Sequence, residues 1–203
     1  MSRELPELPF TLEEFGPDGH WAYADGALTG RAGARQDRFV PPGGDSLESA
    51  SDAPRLLGAL PEGDFRLAAR VRVGFEAAFD AGVLYLHVGE REWAKLCLEL
   101  SPAHPTVCTV VTRGQSDDVN SFVVDGDSLW LRLSRTGDAF AFHASEDGEK
   151  WTFVRFFTLG TAPERATAYA GFLVQSPTGE GCEVSFDHIS FLPGGPADLR
   201  DGS

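Results

Sequence analysis

What most constrains the fold of this chain is a rhythm of short β-type runs broken by tight-turn dipeptides. Asp-Gly occurs at 18–19, 25–26, 125–126 and 147–148, and Glu62-Gly63-Asp64 and Thr136-Gly137-Asp138 add two more turns. Between them lie Phe65–Val73, Gly82–Val88, Trp93–Leu100, Val107–Thr112, Leu129–Ser134, Ala139–Ala144, Trp151–Leu159, Tyr169–Val174 and Val184–Leu192. These runs are rich in Phe, Val, Leu, Thr and Tyr, which suit a pleated, half-buried surface, and most alternate with period two. Strand-length runs recurring every ~8–12 residues, with almost no helical periodicity, predict an antiparallel sandwich or barrel. Ser46–Ala59 has room for a turn of helix, limited by Pro54 and Gly58. Residues 129–159 form the clearest unit, three strands joined by a Thr-Gly-Asp and a Glu-Asp-Gly turn.

The length of 203 residues suits one domain, 1–203, with its core over about 10–192. Residues 193–203 are polar and rich in Gly and Pro, and read as a flexible tail. The 17 basic against 31 acidic side chains give a net charge of −14. Nucleic-acid binding needs the opposite balance, and an anionic membrane would repel this surface. No segment approaches the ~20 apolar residues of a membrane span, and Met1–Phe10 lacks the basic start and apolar run of a secretory signal. Cys97, Cys108 and Cys182 form no CxxC pair, so they read as small buried fillers and free thiols of a cytoplasmic protein.

Splitting each strand by parity gives an apolar face and a face mixing rings with charges. The mixed positions are Tyr85 and His87, then Trp93, Lys95, Cys97 and Glu99 on the next strand. Trp130 and Arg132 follow, then His143, then Arg155 with Phe153 and Phe157 on one side. A solvated face would carry Lys, Glu and Thr without the rings. Rings beside hydrogen-bonding charges suit a polar ligand, so Tyr85, His87, Trp93, Lys95, Glu99, Arg132, His143 and Arg155 are expected to gather on one shared hollow.

Several strings resemble the DUF1349 family of the concanavalin A-like lectin/glucanase superfamily. They are Phe79–Leu84, Trp93–Glu99, Val110–Asp118, Leu131–Arg135, Phe140–Trp151 and Phe172–Phe186, so the resemblance runs from about Phe10 to Leu192. It implies a jelly-roll sandwich of two antiparallel sheets, one of them concave, and no particular reaction. The expected role is a non-catalytic module binding a carbohydrate or similar polyhydroxylated ligand on the concave sheet. Trp93 and Tyr85 would stack on it, and the charged members would form hydrogen bonds. The alternatives are a carbohydrate-active hydrolase or lyase using Glu99 and His143, and a protein-interaction or regulatory module.

The bland readings stand beside these. The Glu-x-Asp-x-x-Glu string of related glucanases is absent. Glu99 would serve equally in a cross-strand ion network with Arg132 or Arg155. Cys97 beside Lys95 could carry thiolate character, against its role as a filler. Asp117, Asp118 and Asn120 offer weak calcium ligands on what reads as a loop, or simply shape the rim of the groove. Arg31, Arg35 and Arg38 read as a solvated basic cluster, and Gln175–Gly181 as a connection bordering the groove. Ser145-x-Asp147-Gly148 reads as a hairpin turn whose side chains bond turn amides, with Trp151 packed below.

Overall fold

The computed structural model describes residues 2–43, 52–200 and 202–203. Its strands are β1 (Ser2–Arg3), β2 (Leu12–Phe15), β3 (Ala22–Ala24), β4 (Ala27–Gly33), β5 (Arg55–Ala59), β6 (Phe65–Gly74), β7 (Ala81–Gly89) and β8 (Glu92–Leu100). They continue with β9 (Pro105–Arg113), β10 (Gln115–Val123), β11 (Ser128–Thr136), β12 (Ala139–Ser145), β13 (Thr152–Phe157), β14 (Tyr169–Gln175) and β15 (Gly181–Pro193). One short helix, α1 (Ala162–Ala166), precedes β14.

The strands build two antiparallel sheets. The eight-stranded sheet runs β1-β2-β5-β14-β7-β8-β9-β10, and the seven-stranded sheet runs β13-β12-β11-β6-β15-β4-β3. Their inner faces supply the core. Leu84, Leu86, Leu96, Leu98 and Phe172 from one sheet meet Leu67, Val71, Leu131, Leu133, Phe142 and Phe186 from the other. Each such side chain contributes roughly 1.5–3 kcal/mol of burial, which fixes the register, since a one-residue slip would turn every one outward. Gly82 sits where a Cβ would press at 2.5 Å on both Val71 and Val184 across the core, so only glycine lets the sheets approach there.

All nine runs read from the sequence are strands. The side chains of the 145–150 turn bond its amides as expected, but the ring beneath Gly148 is Trp130, and Trp151 stacks on Arg132 instead. The Ser145 hydroxyl accepts from Gly148 N at 2.9 Å, and Asp147 Oδ1 accepts from Glu149 N and Lys150 N at 2.8 Å each.

Three expectations fail. Residues 115–123 are the edge strand β10 and not a loop; their polar composition reflects exposure at a sheet edge. Of Ser46–Ala59, residues 55–59 form strand β5, and 46–51 lie outside the described residues. A register shift between Phe142 and His143 breaks parity along β13, so Phe153 pairs with His143 and Arg155 with Phe142. Apart from these, the segment after β15 folds back over the seven-stranded sheet: Leu199 O lies 2.8 Å from His143 Nε2, and Arg132 Nη2 donates to Gly202 O at 2.5 Å.

Candidate functional site

The outer face of the eight-stranded sheet carries a connected set of polar side chains. Alternation along β7 and β8 sends Tyr85, His87, Trp93, Lys95, Cys97 and Glu99 to this side, because their neighbours Leu84, Leu86, Leu96 and Leu98 enter the core. Antiparallel pairing sets Tyr85 opposite Lys95 and His87 opposite Trp93. On β14 the same parity brings out Gln175, and on β10 Asp118 and Asn120.

A hydrogen-bonded row crosses this face. Lys95 Nζ donates to Asp37 Oδ1 at 3.1 Å and to Gln175 Oε1 at 2.9 Å. Gln175 Nε2 donates onward to Glu99 Oε2 at 3.2 Å. Burial opposes the charge on Lys95, yet Asp37 above all outweighs it and holds the ammonium pKa above its ordinary value. Glu99 lacks so close a counter-ion. Burial pushes its carboxyl up to about 7; Lys95 works against that shift, and Asp118 and Asp37 add to it. Burial raises Asp118 too, with Lys95 the main opposing charge. The row thus ends in a protonatable carboxyl, half-buried at Glu99, beside the exposed Asp118.

A second network covers the rings. Arg38 Nε donates to Tyr85 Oη at 2.7 Å, and its guanidinium lies 5.3 Å from the centroid of Trp93. Asp52 holds Arg38 at 3.1 Å and Arg55 at 2.5 Å. Burial raises the Asp52 pKa, but Arg55 and then Arg38 reverse this and leave it below the ordinary value. Tyr85 and Trp93 are consequently only 0% and 1% exposed, packed with Leu57, Val83 and Leu173 in a second apolar cluster. They are not open stacking platforms here. Parity assigns them to the outer side and is silent about Arg38 and Phe39, which the segment after β4 lays against them. Burial pushes the Tyr85 hydroxyl up to about 12, and burial with Arg38 and Arg55 nearby lowers the pKa of His87. Beside this lies a cleft of about 360 Å³, lined by Asp37, Arg38, Phe39, Asp52 and Glu90, which meets the row at Asp37.

A family model described as "Protein of unknown function (DUF1349)" matches residues 15–193. The chain belongs to the DUF1349 family. This DUF1349 chain is 26% identical over 141 residues to "Regulation of enolase protein 1" of Saccharomyces cerevisiae, covering 68% of the one and 69% of the other. Its fold is similar to that of a functionally unknown protein from Saccharomyces cerevisiae, with a TM-score of 0.78, 19% identity, and coverage of 90% and 96% of the two chains. The GH43 BlXynB protein from Bacillus licheniformis superposes with a TM-score of 0.66 at 12% identity. There the match takes 91% of this chain and 37% of the larger one, so the DUF1349 chain spans a little over a third of that protein. An alginate lyase from Klebsiella pneumoniae gives 0.52 at 12% identity, covering 86% and 84%. The likeness to these solved structures is one of fold.

The remaining expected site residues of the DUF1349 chain lie elsewhere. Arg132 and His143 project from the outer face of the seven-stranded sheet, since Leu131, Leu133, Phe142 and Ala144 between them face the core. The whole core therefore separates them from Glu99. Arg155 ties the sheet edges together, with Nη1 3.2 Å from Thr109 Oγ1 and Nη2 3.3 Å from Asp117 Oδ2. The eight residues do not share one hollow, and a reaction using Glu99 together with His143 has no common site. Glu99 pairs with neither Arg132 nor Arg155; Gln175 takes that place.

Three further readings change. Burial drives the Cys97 thiol pKa well above its ordinary value, so it is a filler opposite Cys108 and not a thiolate. Asp117 and Asp118 face opposite sides of β10, and Asn120 bonds Ser101 Oγ at 3.1 Å, so the three do not converge. Among the described residues no group of three or more His, Cys, Asp or Glu could hold a metal ion. Arg38 is half-buried in the network above and is not solvated, while Arg31 stands on β4 against Glu183 at 3.3 Å. The sequence reading missed Asp37, Arg38, Asp52 and Gln175. Only Gln175 carried a signal, because it continues the Tyr169-Gly171-Leu173 parity of β14.

Proposed function

We propose that this DUF1349 chain is a non-catalytic binding module for a carbohydrate or similar polyhydroxylated ligand, taken up on the outer face of the eight-stranded sheet of a jelly-roll sandwich. The observation that carries this reading is the Asp37–Lys95–Gln175–Glu99 row ending beside Asp118. Such a row offers donors and acceptors in sequence, which is what neighbouring hydroxyls require, and the adjoining cleft gives it depth. The fold likeness to GH43 and alginate lyase proteins supports the ligand class. Glu99 and Asp118 would meet the ligand directly, and Lys95 and Gln175 would hold Glu99 in place. The three free cysteines accord with a reducing, cytoplasmic setting.

Titration calorimetry with xylotriose, alongside a panel of other neutral oligosaccharides, tests this. Glu99→Gln and Gln175→Ala should each weaken binding roughly tenfold or more, the equivalent of one hydrogen bond to a charged group. No binding across the panel, or binding indifferent to both substitutions, would refute it. One observation favours the interaction-module reading: Val119 and Val123 on edge strand β10 and Phe156 on edge strand β13 are exposed. Light scattering at rising concentration that shows association lost on Val123→Lys would support that reading over the first.

A further inference from the structure

On the outer face of the seven-stranded sheet, Arg132 is 5% exposed, yet among the described residues no carboxylate pairs with it. Among the described residues its buried Nε has no partner, and Nη2 donates to Gly202 O at 2.5 Å. Trp151 stacks on the guanidinium at 4.1 Å. Burial and then the charge of Arg66 depress its pKa to about 10, so the guanidinium sits where positive charge is disfavoured and an anion would be welcome. The backbone of Gly202 lies against it. Gly202 holds φ +73°, and a Cβ there would overlap the guanidinium and come within 2.8 Å of Trp151 Cβ and 3.0 Å of His143 Cδ2. The same segment lays Arg200 over the ring of Phe153 at 4.8 Å.

We infer that Arg132, Trp151 and Phe153 form a carboxylate-binding niche, separate from the site proposed above, which the segment after β15 occupies with the Gly202 carbonyl in place of a ligand oxygen. A guanidinium presents paired N–H groups that match a carboxylate, which a single carbonyl satisfies only in part. Displacing the segment also bares the face of Phe153, which suits the apolar side of a sugar ring. The shared chemistry is a carboxylate, carried either by a sugar acid or by a simple organic acid.

The test compares the full chain with a form lacking residues 197–203 by NMR titration with D-glucuronate, D-glucose and acetate. The shortened chain should bind glucuronate at least tenfold more tightly than the full chain does, and more tightly than it binds glucose. Arg132→Met in that background should abolish the difference. Glucuronate bound more tightly than acetate assigns a sugar acid; equal affinities assign the carboxylate alone. A shortened chain that stays folded by circular dichroism and binds glucuronate no better than glucose, or equally well with Arg132→Met, overturns the inference. Should the shortened form fail to fold, Gly202→Val in the full chain displaces the carbonyl by steric overlap and must give the same gain in affinity. The niche and the Glu99 site fail independently, since the one is probed by a charged ligand and the other by neutral sugars.

Discussion

On the outer side of the eight-stranded sheet, Lys95 faces Asp37, and Arg38 and Arg55 share Asp52. Across the core, Arg132 is also buried, but among the described residues it meets a backbone carbonyl and the ring of Trp151 and no carboxylate. The residue types on the two faces are alike. Arg70 on that second face has its acid too, in Asp187 at 2.7 Å, so what differs is local: Lys95 lies under a segment that brings it Asp37, and Arg132 under one that brings it the Gly202 carbonyl. A matched buried pair resists the loss of one partner, whereas an unmatched cation is replaced at little cost.

The comparison breaks most readily at Lys95. Lys95→Met leaves Asp37 without its ammonium and should cost about 3–5 kcal/mol in urea denaturation. A loss under about 1 kcal/mol would mean that the Asp37 pair contributes nothing. Glu99→Gln should act in the other direction and depend on pH. The folded-state pKa of about 7 lies above the ordinary carboxyl value, so the folded state binds the proton more tightly. The stabilisation this gives is complete at low pH and is lost as pH rises through 7. Glu99→Gln should therefore raise stability by about 3 kcal/mol at pH 8 and leave it nearly unchanged at pH 4. Equal effects at both values would place the carboxyl in an ordinary environment. Tyr85→Phe removes the acceptor of Arg38 Nε and should cost about 1–2 kcal/mol, read from the denaturation midpoint. Arg132→Met should stay within about 1 kcal/mol of the parent or gain stability, because among the described residues it strands no carboxylate. A loss comparable to that of Lys95→Met would erase the distinction between the faces.

Much of the architecture was legible because burial forces period-two alternation. Leu84, Leu96 and Leu131 could only be strand residues facing a core, and the turn at Asp147-Gly148 announces itself in its side chains. Strand β10 escaped notice because an edge strand with Asp117, Asp118 and Asn120 carries no apolar period. The site was half legible. Parity placed Tyr85, Trp93, Lys95 and Glu99 together correctly, since neighbouring antiparallel strands keep their faces in register. It could not say that β11 and β12 belong to the other sheet, because parity within a strand is blind to which sheet the strand joins. Nor could it foresee Asp37 and Arg38, whose positions follow from loop packing, or the bulge that turns Phe153 away from Arg155.

The most direct test of the central claim is an NMR map of amide shifts on adding neutral xylo-oligosaccharide to the full chain. The expected result is a single patch of perturbation around Lys95, Glu99, Asp118 and Gln175. Shifts confined to Arg132, His143 and Trp151, or none at any concentration, would contradict the assignment of the ligand face.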